Sequence, residues 1–293
     1  MNIKKESTGG RLRSLVGTRA FYKKVLLVAV PIMIQNGITN FVSLLDNIMV
    51  GQVGTEQMSG VAIANQLVFI FNLCIFGAVA GAGILGAQFY GSGNSEGVRD
   101  TFRFKLLFGV ILSAIFAVIF LTVGEPLIQQ FIHQGEGIGD LEATRSYGKA
   151  YLEVIVIGIL PFALTQCYSG TLRETGETVI PMIAGIIAVL VNLVFNYILI
   201  FGKLGLPALG GPGTGVATAI VYWVMFLTMV VYVCRHTYLR ELMTWRVWEI
   251  PVWATLKKLA GIGFPGALAM LFEVTLFAAV ALLIAPLGAI QVA

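Results

Sequence analysis

Two acidic residues of this sequence stand inside long apolar stretches. Asp46 lies in FVSLLDNIMVG, and Glu273 lies in FPGALAMLFEVTLFAAVALL. A charged side chain at bilayer depth costs about 2.5–3.5 kcal/mol on insertion scales, so such residues face a cavity or find a partner. Oxygen donors are at hand. Asn192 and Asn196, four apart in VLVNLVFNYILIFG, share one helix face, and Thr214 follows the GGPG turn. Carboxylate, amide and hydroxyl oxygens suit a hard cation. A carboxylate in a cavity can instead exchange a proton. Asn36, Asn40, Asn65, Gln66 and Asn72 are candidates to line the same cavity. The competing reading is plainer: acids held by hydrogen bonds that only brace the packing, and amides that only bridge helices.

The elements that must position these groups are membrane helices. Of the 293 residues 57% are hydrophobic and 12% charged, against about 25% charged in a typical soluble domain. A spanning helix needs about 20 predominantly apolar residues. Seven stretches qualify, at roughly 25–50, 59–89, 104–124, 147–171, 179–201, 214–234 and 259–285. They are too long and too uniformly apolar for barrel strands, which alternate. Pro31, Pro161 and Pro265 fall inside these stretches and bend the helices that carry them. The first residues, MNIKKESTGGRLRSLVGTRAFYKK, are basic and hold no apolar core of a cleavable signal. With the N-terminus cytoplasmic, 16 of the 19 Lys and Arg fall on the cytoplasmic side, Lys105 and Arg173 among them. The positive-inside rule therefore fixes the orientation in an inner or plasma membrane. The basic residues border lipid; they are not a nucleic-acid footprint.

Other chemistries find little support. Gly81-Ala82-Gly83-Ile84-Leu85-Gly86 is a literal GxGxxG, but it lies within an apolar helix and follows no strand. Close helix packing through Gly77 and Gly81 explains it better. His133 and His236 occupy junctions on opposite sides, so they share no metal. No H-E-x-x-H, G-x-S-x-G or Walker sequence occurs, which argues against a hydrolase or an ATP-driven pump. Cys74, Cys167 and Cys234 form no C-x-x-C and read as small buried apolar residues.

An internal repeat orders the whole chain. At an offset of 234, Lys23-Lys24 falls on Lys257-Lys258, Pro31 on Pro265, Gly54 on Gly288 and Gln57 on Gln291. This register predicts an all-α polytopic fold. Residues 1–22 form a basic cytoplasmic tail, 23–238 a first six-helix lobe, 239–256 a cytoplasmic linker, and 257–293 the first helix of a second lobe. Parallel repeats about an axis along the membrane normal are a transporter design, with the site between repeats. Ala293 overlays Ser59, so the expectation is a fragment that lacks about five helices of its second lobe.

PIMIQNGITNFVSLLDNIMVGQVGTEQMSGVAIANQ resembles the first helix and loop of the multidrug and toxic compound extrusion (MATE) family. NYILIFGKLGLPALGGPGTGVATAIVYW resembles its fifth-to-sixth helix junction, and GFPGALAMLFEVTLFAAVALL is similar to the seventh helix of the NorM-type branch. The resemblance implies a two-lobe secondary antiporter, not an enzyme, that needs no cofactor. It would expel cationic or amphipathic small molecules in exchange for Na+ or H+. It implies that Asp46 is the first-lobe coupling acid, with Asn192, Asn196 and Thr214 as its cation-site partners. Pro31 would be the helix-bending proline and Glu273 a second-lobe acid. Two rivals remain: a flippase for lipid-linked precursors or polysaccharides from the same superfamily, and a membrane fragment without transport activity. Acids as the intramembrane ionisable groups favour cationic cargo over the flippase.

Overall fold

A computed structural model describes residues 18–132, 140–243 and 257–261, with Pro265, Leu268, Ala269, Phe272 and Leu276 beyond them. Glu273, His133, residues 1–17 of the basic tail, residues 244–256 of the expected linker, and the repeat partners Gly288 and Gln291 lie outside the described residues.

Every regular element among the described residues is a helix. In chain order they are α1 (Arg19–Gly51), α2 (Thr55–Gly91), α3 (Ser95–Thr122), α4 (Gly124–Ile132), α5 (Leu141–Glu174), α6 (Val179–Phe201), α7 (Gly211–Arg235) and α8 (Thr237–Leu242). Six of them, all but α4 and α8, are long and apolar enough to cross a bilayer. Local chemistry sets their ends. The Thr18 hydroxyl accepts from the Phe21 N–H at 3.3 Å and starts α1. Asn94 caps α3 through the Gly97 N–H at 2.9 Å, and Asp140 caps α5 through Glu142 and Ala143. Each cap satisfies donors that have no partner within the helix. At the other end of α6, Gly202 takes the left-handed conformation, φ 65°, and stops the helix.

The helices outrun the apolar stretches. α2 has 37 residues and α5 has 34, or about 55 and 51 Å at 1.5 Å per residue. The hydrocarbon layer is about 30 Å thick, so both project beyond it. The stretches at 59–89 and 147–171 are therefore the middles of longer helices whose polar turns keep their backbone bonds. Two short helices occupy expected junctions. Ile128 of α4 is buried in the main core. Leu239 and Leu242 of α8, with Met243, enter a second core, so the residues expected to begin a linker pack into the helical bundle.

α5 is the central helix, packed most extensively on α2 and α7 and also on α3. Small residues let the backbones meet: a Cβ at Gly60 would lie 2.5 Å from the Thr144 carbonyl oxygen, and one at Gly148 would lie 3.0 Å from that of Gly60. In lipid such packing replaces the hydrophobic drive between helices. One core joins Val61, Phe71 and Ile75 of α2 to Tyr151, Ile155 and Phe162 of α5. A second joins Phe102 of α3, Tyr168 and Leu172 of α5, and Met229 and Val233 of α7. α1 differs. It lies at the margin, packed mainly along α6, and presents Phe21, Leu26, Leu27, Met33 and Phe41 outward. Both Pro31 and Pro161 are carried within continuous helices.

Candidate functional site

The contact between α1 and α6 brings Asp46 to two of its expected partners, Asn196 and Asn192. Asn196 Nδ2 donates to Asp46 Oδ1 at 2.5 Å and to Asn192 Oδ1 at 2.9 Å. The two asparagines lie one turn apart on α6, and both are buried, at 4% and 0% exposure. Asp46 itself is half-buried. Asn196 Oδ1 is buried without a hydrogen-bond partner. A second orphaned oxygen, Thr214 Oγ1, lies on α7 in a residue 3% exposed. Buried polar atoms are normally paired, so two unpaired oxygens on neighbouring helices are unusual.

Thr214 is placed by a specific joint. Gln57, at the start of α2, accepts from the Gly211 N–H at 2.6 Å and so caps α7 from another helix. Gly210 sits at φ 59°, and a Cβ there would collide with the Gln57 amide. A Cβ at Gly213 would lie 2.9 Å from the Leu199 carbonyl oxygen, so α7 rests on the last turn of α6. The loop before it is pinned by Leu209 N–H to Leu199 at 2.9 Å.

The aromatic surroundings were not evident from the sequence. Tyr151 on α5 and Tyr222 on α7 lie within electrostatic reach of the Asp46 charge. The Tyr151 hydroxyl donates to Asn65 Oδ1 at 2.8 Å, which engages one of the candidate lining amides. Asn36, Asn40 and Gln66 are exposed, on α1 and α2. Glu273 lies outside the described residues, and Pro265 is described in a helical segment.

Three further polar clusters depart from the sequence reading. Lys105, counted there among the cytoplasmic loop charges, is 2% exposed. Its ammonium donates to both Glu174 oxygens, at 2.5 and 2.6 Å, and to Thr171 Oγ1 at 3.3 Å. The Glu174 carboxylate occupies a recess that only glycine allows: a Cβ at Gly83 or Gly86 would collide with it. The GxGxxG thus packs helices as expected, and it also houses an anion. The buried ionisable groups accordingly include a lysine, although Glu174 balances its charge. Next to Glu174, Arg173 Nη2 donates to Gln35 Oε1 of α1 at 2.5 Å. At the opposite end of the lobe, Glu125 of α4 accepts from Arg145 and from Lys149, the latter at 2.7 Å. Hydrogen bonds from Lys149 and Arg145 hold its carboxyl below the usual carboxylate range.

The cysteines divide. Cys167 is buried and its thiol donates to the Lys105 carbonyl at 3.3 Å, Cys74 is partly covered, and Cys234 is exposed on the outer face of α7. The expectation that all three are buried is corrected at Cys234, which points away from the bundle. Among the described residues no group of three His, Cys, Asp or Glu side chains is placed to hold a metal. His236 instead meets the Tyr232 ring edge-on at 4.1 Å. What the Asp46 cluster offers is one carboxylate with neutral oxygens, a set that fits a hard monovalent ion or a proton better than a transition metal.

The MatE family profile matches residues 31–198. Multidrug resistance protein MdtK of Edwardsiella ictaluri (strain 93-146) is 36% identical over 273 residues, 92% of this chain and 58% of that protein. The chain thus spans well under two thirds of that relative's length. A crystal structure of MATE in the straight conformation has a TM-score of 0.74 at 24% identity, over 89% of this chain and 56% of the other. One of MATE in the bent conformation also scores 0.74, at 23% identity, over 87% and 55%. These structures share the helical arrangement described above, an all-α fold that corresponds to about half of a longer protein.

Proposed function

Because this chain belongs to the MatE family and is a multi-pass membrane protein, we propose that it carries the first lobe of a secondary antiporter. In this reading residues 23–238 form the lobe, and the segment from residue 257 opens a second one needed for a complete transporter. The protein lies in the inner or plasma membrane with its N-terminus cytoplasmic. It exports cationic or amphipathic small molecules in exchange for Na+ or H+. The naming of the MdtK relative as a multidrug resistance protein supports the cargo class.

One observation carries the reading: Asp46 is joined to Asn196 and Asn192 while Asn196 Oδ1 and Thr214 Oγ1 remain buried and unpaired. An amide that spends both N–H groups on acceptors leaves its own oxygen available. A cation entering beside Asp46 would find carboxylate, amide and hydroxyl oxygens on three helices. A proton on Asp46 would remove the charge that attracts such a cation, or a cationic drug. Ion, proton and drug therefore compete for one carboxylate. Each biases the lobe only by its differential affinity for the two arrangements of α1 and α6. Pro31, inside α1, is a point at which that helix could bend between the two arrangements.

The test is efflux of an organic cation from cells that express the protein, wild type against Asp46→Asn at matched membrane levels. Export that depends on a Na+ or H+ gradient and falls at least about tenfold in the variant, a loss of about 1.4 kcal/mol or more, is expected. Equal export by both proteins would reject the role of Asp46.

A further inference from the structure

Two side-chain hydrogen bonds tie α1 to the helices behind it, and both lie beyond its proline. Asp46 meets Asn196, and Gln35 meets Arg173. Gln35 also packs against α6, where a Cβ at Gly185 would lie 3.5 Å from Gln35 Cγ. Gln35 and Asp46 are eleven residues apart, and so are Gly185 and Asn196. Eleven residues make about three helical turns, roughly 16 Å. The two helices therefore run parallel in register, touching on one face at two levels. Pro31 lies one turn before the first of these levels.

Most of α1 is thinly covered, and Met49 and Val50 at its end enter the main core. It is packed mainly on α6, and its outward side is a row of exposed apolar residues. Gln35, by contrast, is 8% exposed, a buried amide fifteen residues before Val50, which enters the main core at the end of α1. Its partner is firmly based. Arg173 precedes Glu174, which is fixed to Lys105 in the recess formed by Gly83 and Gly86. Arg173 Nε is buried without a hydrogen-bond partner, so the guanidinium has been drawn into the helix junction and away from water. Neighbouring residues at the end of α5 thus bind in two directions, Glu174 into the body of the lobe and Arg173 out to α1.

We infer that Gln35 and Arg173 form a second docking clamp for α1, independent of Asp46. They are positioning residues: they keep the Asp46 carboxylate against α6 when an ion or proton loosens its bond to Asn196. With the clamp closed, the segment from Gln35 to Asp46 stays on α6. Movement of α1 is then confined to the arm before Pro31. This inference rests on the antiporter reading for its purpose, but the clamp itself is a matter of geometry.

Pulsed EPR distances test it without any ion or cargo. Spin labels replace Met33 and Ile183 to report the clamp, and Ile48 and Tyr197 to report the acid site; all four are exposed. The background carries Cys74→Ala and Cys234→Ser, and retains the buried Cys167. Asp46→Ala is expected to broaden the 48–197 distance and leave 33–183 sharp. Gln35→Leu and Arg173→Met are each expected to add a longer population to 33–183 and leave 48–197 sharp. Gln35→Glu, which still offers Arg173 an acceptor, keeps both sharp. The clamp is refuted if Asp46→Ala broadens both distances together. It is equally refuted if Gln35→Leu and Arg173→Met leave 33–183 unchanged. Failure of Na+ or drug to act at Asp46 would overturn the antiporter reading and leave these distances as they are.

Discussion

At the scale of single residues, the carboxylates of Asp46 and Glu174 stand in opposite situations. Asp46 is half-buried, with neutral amides for company and the unpaired Asn196 oxygen near by. Glu174 is bound at close range to a lysine in a glycine recess. The first arrangement leaves the charge open to exchange, whereas the second neutralises it. Lys105→Met should therefore destabilise the protein by about 3–5 kcal/mol, because it strands a buried carboxylate. The double variant Lys105→Met, Glu174→Leu should recover much of that loss, which thermal unfolding in detergent can measure. A double variant no more stable than the single one would show that the pair is not a closed ion pair. This contrast was only half legible in the sequence. Asp46, Asn192 and Asn196 stood out because an acid and two amides at helical spacing interrupt apolar runs. Lys105 and Arg173 did not, because a cation near the end of an apolar run looks like an interfacial charge. Their partners are 69 and 138 residues away, beyond any local pattern.

At the scale of elements, the site depends on how helices end. Thr214 lies in the first turn of α7, and that turn is fixed by Gln57 of α2 through Gly211. Gly210→Ala would force a side chain both into the left-handed region and onto the Gln57 amide. A destabilisation of about 1–3 kcal/mol is expected from the backbone strain alone. Moving Thr214 should also weaken any response to the coupling ion, whereas Gly205→Ala, which meets open space, should spare that response. Unfolding curves for the two variants with and without Na+ would check both parts, and equal ion responses would contradict the joint. The GGPG turn was legible as a helix start. Its partner was not, since Gln57 drew notice only through the repeat register. Helix lengths were underestimated for a related reason. Hydropathy sees the lipid-facing middle of a helix, while capping and backbone bonding carry it further, as at Asp140 and Asn94.

At the scale of the whole molecule, α5 forms the hub, and α1 is a peripheral helix tied in by the Gln35 and Asp46 hydrogen bonds and by Val50 at its end. Such a division suits an antiporter lobe: a rigid body carries the oxygens, and a lightly held helix carries the acid. The all-α architecture was readable from composition and the length of the apolar runs. The docking of α1 on α6 was readable only through the resemblance that paired Asp46 with Asn192 and Asn196, because the apolar faces of membrane helices carry no address. The central claim is that Asp46 and its neighbours bind the coupling ion within this lobe. Its most direct test is the thermal stability of the purified chain in detergent, titrated with NaCl against KCl over a range of pH. A ligand at 100 times its Kd stabilises by about 2.7 kcal/mol. The account predicts a midpoint that rises with Na+, or with protons if these are the coupling ion, and a response lost in both Asp46→Asn and Asn196→Ala. A response of the same size in those variants, or none to either ion in the wild type, would contradict it.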